Sequence, residues 1–409
     1  MNVDIVEELS RLVKIRSEVF VDERGSVIRF NYSEAAEAVA NLAEKVELNV
    51  EVVDLEVDGN KVPAIIAGIP RPTAQDKPTI AFVSHYDVIP AKGPWIVAGR
   101  QIDPYEPTVV DGKVYGRGAA DDKSAIVASI IALSELNFDK LKYYPQVVVT
   151  GDEEVGGLGV RALIDKGYRW DKVVILDAGA DYLSIGASGV VFGWIKVRGK
   201  SGHAGYPHKT INPVENAIKL SNYIISNYKP RRASKLSRFN APPGSPLNKV
   251  WGRFNFTILK LSPGEPEKHN RIPSEVMLGF DMRLLPEEDL GVALEELYSH
   301  FSEATAALGV DAEISAWGQR GWYAKDECFI EEALEASRKA YESLGLQSNV
   351  YAAAELGGND GTFFDSVGIP VVAFGAMRTD CNVHSENEFV YIQDLILLKE
   401  FVKYLAKGS

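Results

Sequence analysis

Four short apolar runs constrain this chain more than any other feature. TIAFVS (79–84), QVVVT (146–150), KVVIL (172–176) and IPVVAFG (369–375) are continuous and rich in Val and Ile. Strands with helices over both faces read this way, whereas strands with one wet face alternate. Helical stretches such as SAIVASIIALSEL (124–136) and GVRALIDKG (159–167) lie between them. The alternation predicts an α/β fold: a mixed, largely parallel sheet sandwiched by helices. Open α/β sheets place their sites outside the carboxyl ends of the strands, and the chemistry-bearing residues here sit where apolar runs finish.

The flanking elements follow the same logic. Residues 3–16 and 33–47 read as helices, the second with Ser33 as N-cap. Residues 50–58 and 62–69 read as strands, and 70–78 as a turn-rich loop. Near 187 the pattern changes. Strand-like 190–199, a helix over 212–228, strands at 253–261 and 275–285, a helix over 287–309 and a strand at 311–319 make βαββαβ, the order of an α+β ferredoxin-like unit. The chain therefore divides into 1–186 with 321–409, and an insertion over 187–320. KPRRASKLSR (229–238), inside the insertion, reads as a solvated basic loop.

Composition narrows the functional classes. With 409 residues the chain is long for one core and suits two or three domains. Apolar and charged fractions of 46% and 25% are those of a globular protein. No apolar run approaches the ~20 residues that cross a bilayer, so no membrane partner is expected. The start of the chain lacks a basic segment followed by an apolar block, which predicts a cytoplasmic protein. A net charge of −13 argues against nucleic acid. Cys328 and Cys381 are far apart, form no CxxC pair and read as idle thiols.

The residues at the strand ends point to metal. SHYDV (84–88), GRGAADDK (116–123), TGDEEVGG (150–157), VVILDAG (173–179) and HSENEFV (384–390) offer His85, Asp87, Asp121, Glu153, Glu154, Asp177 and His384. Imidazoles mixed with carboxylates are what zinc-type ions accept. His85 and Asp87, two apart in extended chain, share a face, so Asp87 can fix the tautomer of a metal-binding His85. Asp121 follows glycines that permit a tight path, and it can reach two ions or simply cap the helix that begins near Lys123. Asp122 is expected to point elsewhere and Lys123 to pair with an acid. Adjacent Glu153 and Glu154 face opposite sides, so one can bind metal while the other takes a proton from water. Asp177 ends its strand at the sheet edge. His384 sits among polar residues, and His203 lies alone in a glycine-rich turn of the insertion. The set, in this order, suggests a hydrolase with two metal ions.

These motifs resemble the M20 family of metallo-aminoacylases and exopeptidases, which includes acetylornithine deacetylase, succinyl-diaminopimelate desuccinylase, aminoacylase and glutamate carboxypeptidase. The resemblance spans residues 60–395. It implies a di-zinc exopeptidase type of fold with an inserted lid and dimerisation domain, and a homodimer built through that domain. His85 and Asp177 would bind one ion, Glu154 and His384 the other, and Asp121 would bridge them. The ions would be zinc, with cobalt or manganese as alternatives. Asp87 would orient His85, and Glu153 would act as general base and then acid. His203 would stabilise the oxyanion, reaching the partner subunit's site. Asn270 and Arg283 in NRIPSEVMLGFDMRLLP would grip a substrate carboxylate, and Gly357 and Gly358 in ELGGNDGTFF would line the pocket. The implied activity is deacylation of an N-acyl amino acid. A carboxypeptidase or dipeptidase is the alternative, and a non-catalytic binding protein on a hydrolase scaffold a more distant one. Asp122 departs from the family, where an apolar residue is usual, and 237–254 has no placed counterpart.

Overall fold

A computed structural model describes residues 3–22, 25–70 and 77–408. The chain forms two compact units, one comprising Met1–Ile185, Tyr323–Ala353 and Asn359–Ser409, the other Gly186–Trp322 and Ala354–Gly358.

The first unit is built on the predicted apolar strands. Val371–Ala373, Lys172–Ile175, Thr79–His85 and Tyr144–Thr150 lie side by side and parallel. The hairpin Asn49–Val57 and Asn60–Gly68 extends the sheet antiparallel, so the sheet is mixed, as the sequence predicts. The register sets up the site. Thr150 pairs with His85 and Ile175 with Val83, so three parallel strands end level with one another on one edge. The helix Lys123–Ser134 is apolar around nearly its whole circumference and buried throughout except at Ser134. A helix of that kind belongs in a core rather than on a surface. It packs between the sheet and the helices Ile5–Val13, Tyr32–Lys45 and Ile392–Lys407.

The second unit has the order strand Val190–Arg198, helix Pro213–Ala233, strands Arg253–Leu261 and Glu275–Arg283, helix Leu290–Leu308 and strand Ala312–Gln319. These strands form one antiparallel sheet, ordered 253–261, 275–283, 190–198, 312–319. Its core joins the two helices to one sheet face through Ile195, Leu220, Tyr228, Phe254, Phe280 and Leu297.

Three local expectations fail. Ser33 does not cap its helix, which starts at Tyr32 behind Asn31, a left-handed residue whose side chain caps nothing. Tyr32 is pinned by tertiary contacts, a hydrogen bond to Asp152 (2.9 Å) and an edge-on Tyr86 ring, and these fix where the helix begins. Residues 229–233 are not loop, because the helix runs to Ala233 through Pro230. Arg232 there is fully buried against Glu288, a partner far away in sequence. Among the described residues, Lys123 pairs with no acid. Its buried ammonium donates to the carbonyls of Leu12 and Ile15, at the end of the first helix, at 3.0 and 2.6 Å. Burial lowers its pKa to about 7.

Candidate metal centre

Two donor clusters form at the level strand ends. His85, Glu153 and Asp177 offer ligand atoms all within 4.8 Å of one another, and so do Asp121, Glu154 and His384. Asp121 stands between the clusters. Its Oδ1 lies 3.0 Å from His85 Nε2 and its Oδ2 2.9 Å from His384 Nε2. Both imidazoles thus address one carboxylate, which leaves their nitrogens no more than about 8 Å apart given ordinary C–O bond lengths. His384 Nε2 is also 3.0 Å from Glu154 Oε2.

The chain holds these groups with other acids. His85 Nδ1 lies 3.0 Å from the Asp87 carbonyl and 3.4 Å from its carboxylate. The same carboxylate accepts the backbone N–H groups of Glu153 (3.4 Å) and Glu154 (3.2 Å), so Asp87 positions the histidine and the glutamate loop together. Buried Glu388 does similar work, taking the N–H groups of Gly118, Ala120 and Asp121 at 3.0, 3.0 and 3.2 Å and pairing with Arg117. Asp152 carries the loop itself. It accepts three hydrogen bonds from Arg29 at 2.7–3.1 Å in a buried ion pair, and its backbone is left-handed at φ 67°. His384 is left-handed too, at φ 63°, with Asn382 and Asn387 beside it. Non-glycine residues pay for that geometry, and they gather at functional sites.

The electrostatics reflect crowded carboxylates. Desolvation, with the charge of Asp177 next, pushes Glu153 well above the usual carboxylate range. Glu154 is raised by desolvation and Asp121, and Asp122 well raised by burial and Asp177. Asp360, in the same region, is pushed up to about 7 by burial. Burial would also raise Asp121, but hydrogen bonds from His384 and His85 hold it below the usual range. Hydrogen bonds to Asp121 and Glu154 lift His384 to about 10, and half of its side chain (52%) stays exposed. Buried charge of one sign is costly without counter-charge. Oxygen and imidazole donors in two groups joined by one carboxylate fit a pair of divalent cations of the zinc type.

Asp122 heads the helix yet its side chain caps nothing, and its buried Oδ2 has no hydrogen-bond partner among the described residues. Cys381 is buried, accepts the Arg378 N–H (3.2 Å) and belongs to neither cluster. Sequence reasoning missed Arg29, Tyr32, Asp152 and Glu388. The two acids stood inside the TGDEEVGG and HSENEFV motifs, but nothing marked Arg29 or Tyr32.

The remaining candidates belong to the second unit. His203 is exposed in a two-residue strand, Gly202–His203, paired with Arg271–Ile272. The Ala204 N–H bonds the Asn270 carbonyl (2.9 Å), so Asn270 sits beside His203. Arg283 is salt-bridged to Asp281 (2.9 Å) and faces Arg253 on the next strand. It pairs with Val190, whereas Glu275 pairs with Arg198 near the His203 end. Eight strand steps of about 3.4 Å put the two ends of this sheet roughly 27 Å apart. Gly357 and Gly358 are exposed, and a Cβ on Gly357 would meet nothing within 4 Å.

Comparison with known proteins agrees with the geometry. The model of peptidase family M20/M25/M40 matches residues 81–408. A succinyl-diaminopimelate desuccinylase from Thioalkalivibrio sulfidiphilus is 29% identical over 353 residues, covering 81% of this chain and 83% of its own. An M20 family metallo-carboxypeptidase from Sulfolobus solfataricus shares the fold with a TM-score of 0.77 at 18% identity, over 99% of both chains. A dinuclear metal binding peptidase of the M20 family from Bacillus subtilis does so at 0.65 and 17%, over 98% of this chain and 96% of its own.

Proposed function

The chain belongs to peptidase family M20/M25/M40, a family of metal-dependent hydrolases, and we propose that it cleaves the amide bond between an acyl group and an amino acid. The observation that carries this reading is the Asp121 carboxylate shared by His85 and His384, with Glu153, Glu154 and Asp177 on the same sheet edge. His85 and Asp177 would hold one ion and Glu154 and His384 the other, with Asp121 available to both and Asp87 orienting His85. Zinc suits the donors, with cobalt or manganese as substitutes. Bound there, two such ions would acidify a water and polarise the substrate carbonyl.

The chain's own groups do the rest. Glu153 accepts the proton of the attacking water and returns it to the departing amine nitrogen. His203 donates to the oxygen that gains charge. The span of the second unit's sheet between His203 and Arg283 supports their serving different copies of the site, hence a homodimer through that unit. Arg283 and, from the copy that supplies His203, Asn270 hold the amino acid's free carboxylate, and Gly357 and Gly358 line the approach. Release of a C-terminal residue from a peptide is the same reaction with a peptidyl acyl group.

The test is a panel of N-acyl amino acids assayed with zinc or cobalt added, alongside metal content by mass spectrometry. Turnover with about two ions per chain is expected. A fully loaded protein that cleaves no member of the panel refutes the reading.

A further inference from the structure

Beside His384 the first unit holds a cavity of about 950 Å³ lined on one side by Phe20, Val21, Ile89 and Pro90 and elsewhere by polar residues, among them Lys92 and Arg117. The mechanism above uses only its His384. One wall is apolar and open to solvent: Phe20 is 36% exposed and Val21 55%, on the strand Val19–Val21. Phe20 stacks on Phe30, itself 45% exposed, with ring centroids 6.1 Å apart. Contiguous exposed apolar side chains mark binding surfaces, and these adjoin a donor cluster rather than a remote face.

This wall is built into the centre. The Val19 N–H bonds the Val88 carbonyl and the Val88 N–H bonds the Ser17 carbonyl, both at 2.9 Å, immediately after Asp87. The opposite strand of the hairpin, Val27–Arg29, ends in the arginine that grips Asp152, next to Glu153. The apolar wall is therefore fixed to both loops that carry the reacting groups.

Size decides what it takes. A succinyl group has seven non-hydrogen atoms and fills no more than about 200 Å³, even at the roughly 30 Å³ that each water occupies in the liquid. The cavity is several times larger, near the upper end for small-molecule sites. We propose that it is the acyl subsite and that it selects a bulky apolar acyl group over acetyl or succinyl. The inference rests on the amide-hydrolase reading above. Such an acyl group comes either from a peptide or from an aromatic conjugate of an amino acid.

The experiment compares kcat/KM of the zinc-loaded protein on acetyl, succinyl, benzoyl and acetyl-phenylalanyl derivatives of one amino acid. Both bulky substrates are expected to exceed acetyl and succinyl at least tenfold, and whichever of the two is preferred identifies the source. Phe20→Ser and Val21→Ser lie at exposed positions and keep the fold. Each should lower the ratio of bulky to acetyl turnover about tenfold through KM, with Phe20→Leu restoring it. Acetyl or succinyl turnover equal to the bulky substrates, or a ratio untouched by the variants, overturns the proposal. Calorimetry with the product acids acetyl-phenylalanine and succinate decides the pocket independently of turnover. Tenfold tighter binding of the bulky acid, lost in Phe20→Ser, supports it, and equal affinities overturn it. Absence of turnover on every substrate refutes the hydrolase reading alone.

Discussion

Replacing Arg29 by Met tests whether the glutamate loop is held from the hairpin. Arg29 is 7% exposed and Asp152 not at all, and three hydrogen bonds at 2.7–3.1 Å join them. Among the described residues, the substitution leaves Asp152 with the Tyr32 hydroxyl (2.9 Å) as its remaining side-chain donor and removes its only ion-pair partner. Breaking one side of a buried pair costs about 3–5 kcal/mol, far above the 0–1 kcal/mol of a surface pair. The loss falls where Asp152 sits, because its carbonyl accepts the Gly157 N–H (2.8 Å) that closes the loop. Hydrogen exchange of peptides over 150–158 reads this opening directly. A 3 kcal/mol loss corresponds to exchange faster by about a hundredfold, with peptides of the second unit unchanged. The metal held by Glu154 should bind roughly tenfold to a hundredfold more weakly, as when other supports of ligands are removed. Adding Asp152→Asn should recover part of the loss, since the orphaned charge is then gone. Exchange altered less than about threefold, or strictly additive single and double variants, would show that the pair contributes no more than a surface contact.

Glu153→Ala should retain its fold and its metals while kcat falls by about 10²–10⁴, the usual share of a general base; near-normal turnover refutes the role. His384→Ala should fold and lose about one of two ions in mass spectrometry, because Asp121 and Glu154 would remain as a poor pair; two tightly held ions would contradict the assignment. Mixing His203→Ala with Glu153→Ala protein should partly restore activity, and its failure despite demonstrated subunit exchange argues against a histidine acting across copies. Arg232→Met should destabilise the second unit by about 3 kcal/mol at neutral pH. Burial would raise the Glu288 pKa, yet Arg232 holds it below the usual range. That stabilisation is present above the unfolded value near 4.3 and is lost as pH falls through the folded one, so the gap between wild type and variant should narrow as pH falls through about 4. A gap constant across that window refutes the pair's role.

The sheet was legible because burial on both faces leaves a signature in composition: continuous Val and Ile in 79–84, 146–150 and 172–176. The ligand set was legible because acids and histidines follow those runs directly. What hid was decided by partners distant in sequence. Ser33 looked like a cap, but Tyr32 is fastened to Asp152, 120 residues away, and the helix starts there. The run 229–238 looked like a solvated loop because its charge is high. Arg232 is buried nonetheless, because Glu288 comes to it from another element. Lys123 looked like half of an ion pair, yet it serves the carbonyls of Leu12 and Ile15, which no side-chain pattern records. Left-handed Asp152 and His384 were equally invisible, since no glycine marks them.

The acids of this centre divide into two kinds that residue type alone cannot separate. Asp121 spends its oxygens on two imidazoles, and Glu154 both of its own on His384, so these oxygens face other ligands. Asp87 and Glu388 spend theirs on backbone N–H groups of the turns that carry those ligands. One Glu388 oxygen receives three such groups and the other meets Arg117, so this carboxylate is committed to donors of the chain rather than to a cation. A carboxylate used in this way turns three donors toward itself and so aims Asp121 at the space between the histidines. Charge is therefore concentrated at the sheet edge for two purposes, to bind cations and to fold the loops that present the binding groups. The second purpose explains why more acids are buried here than two ions have places for.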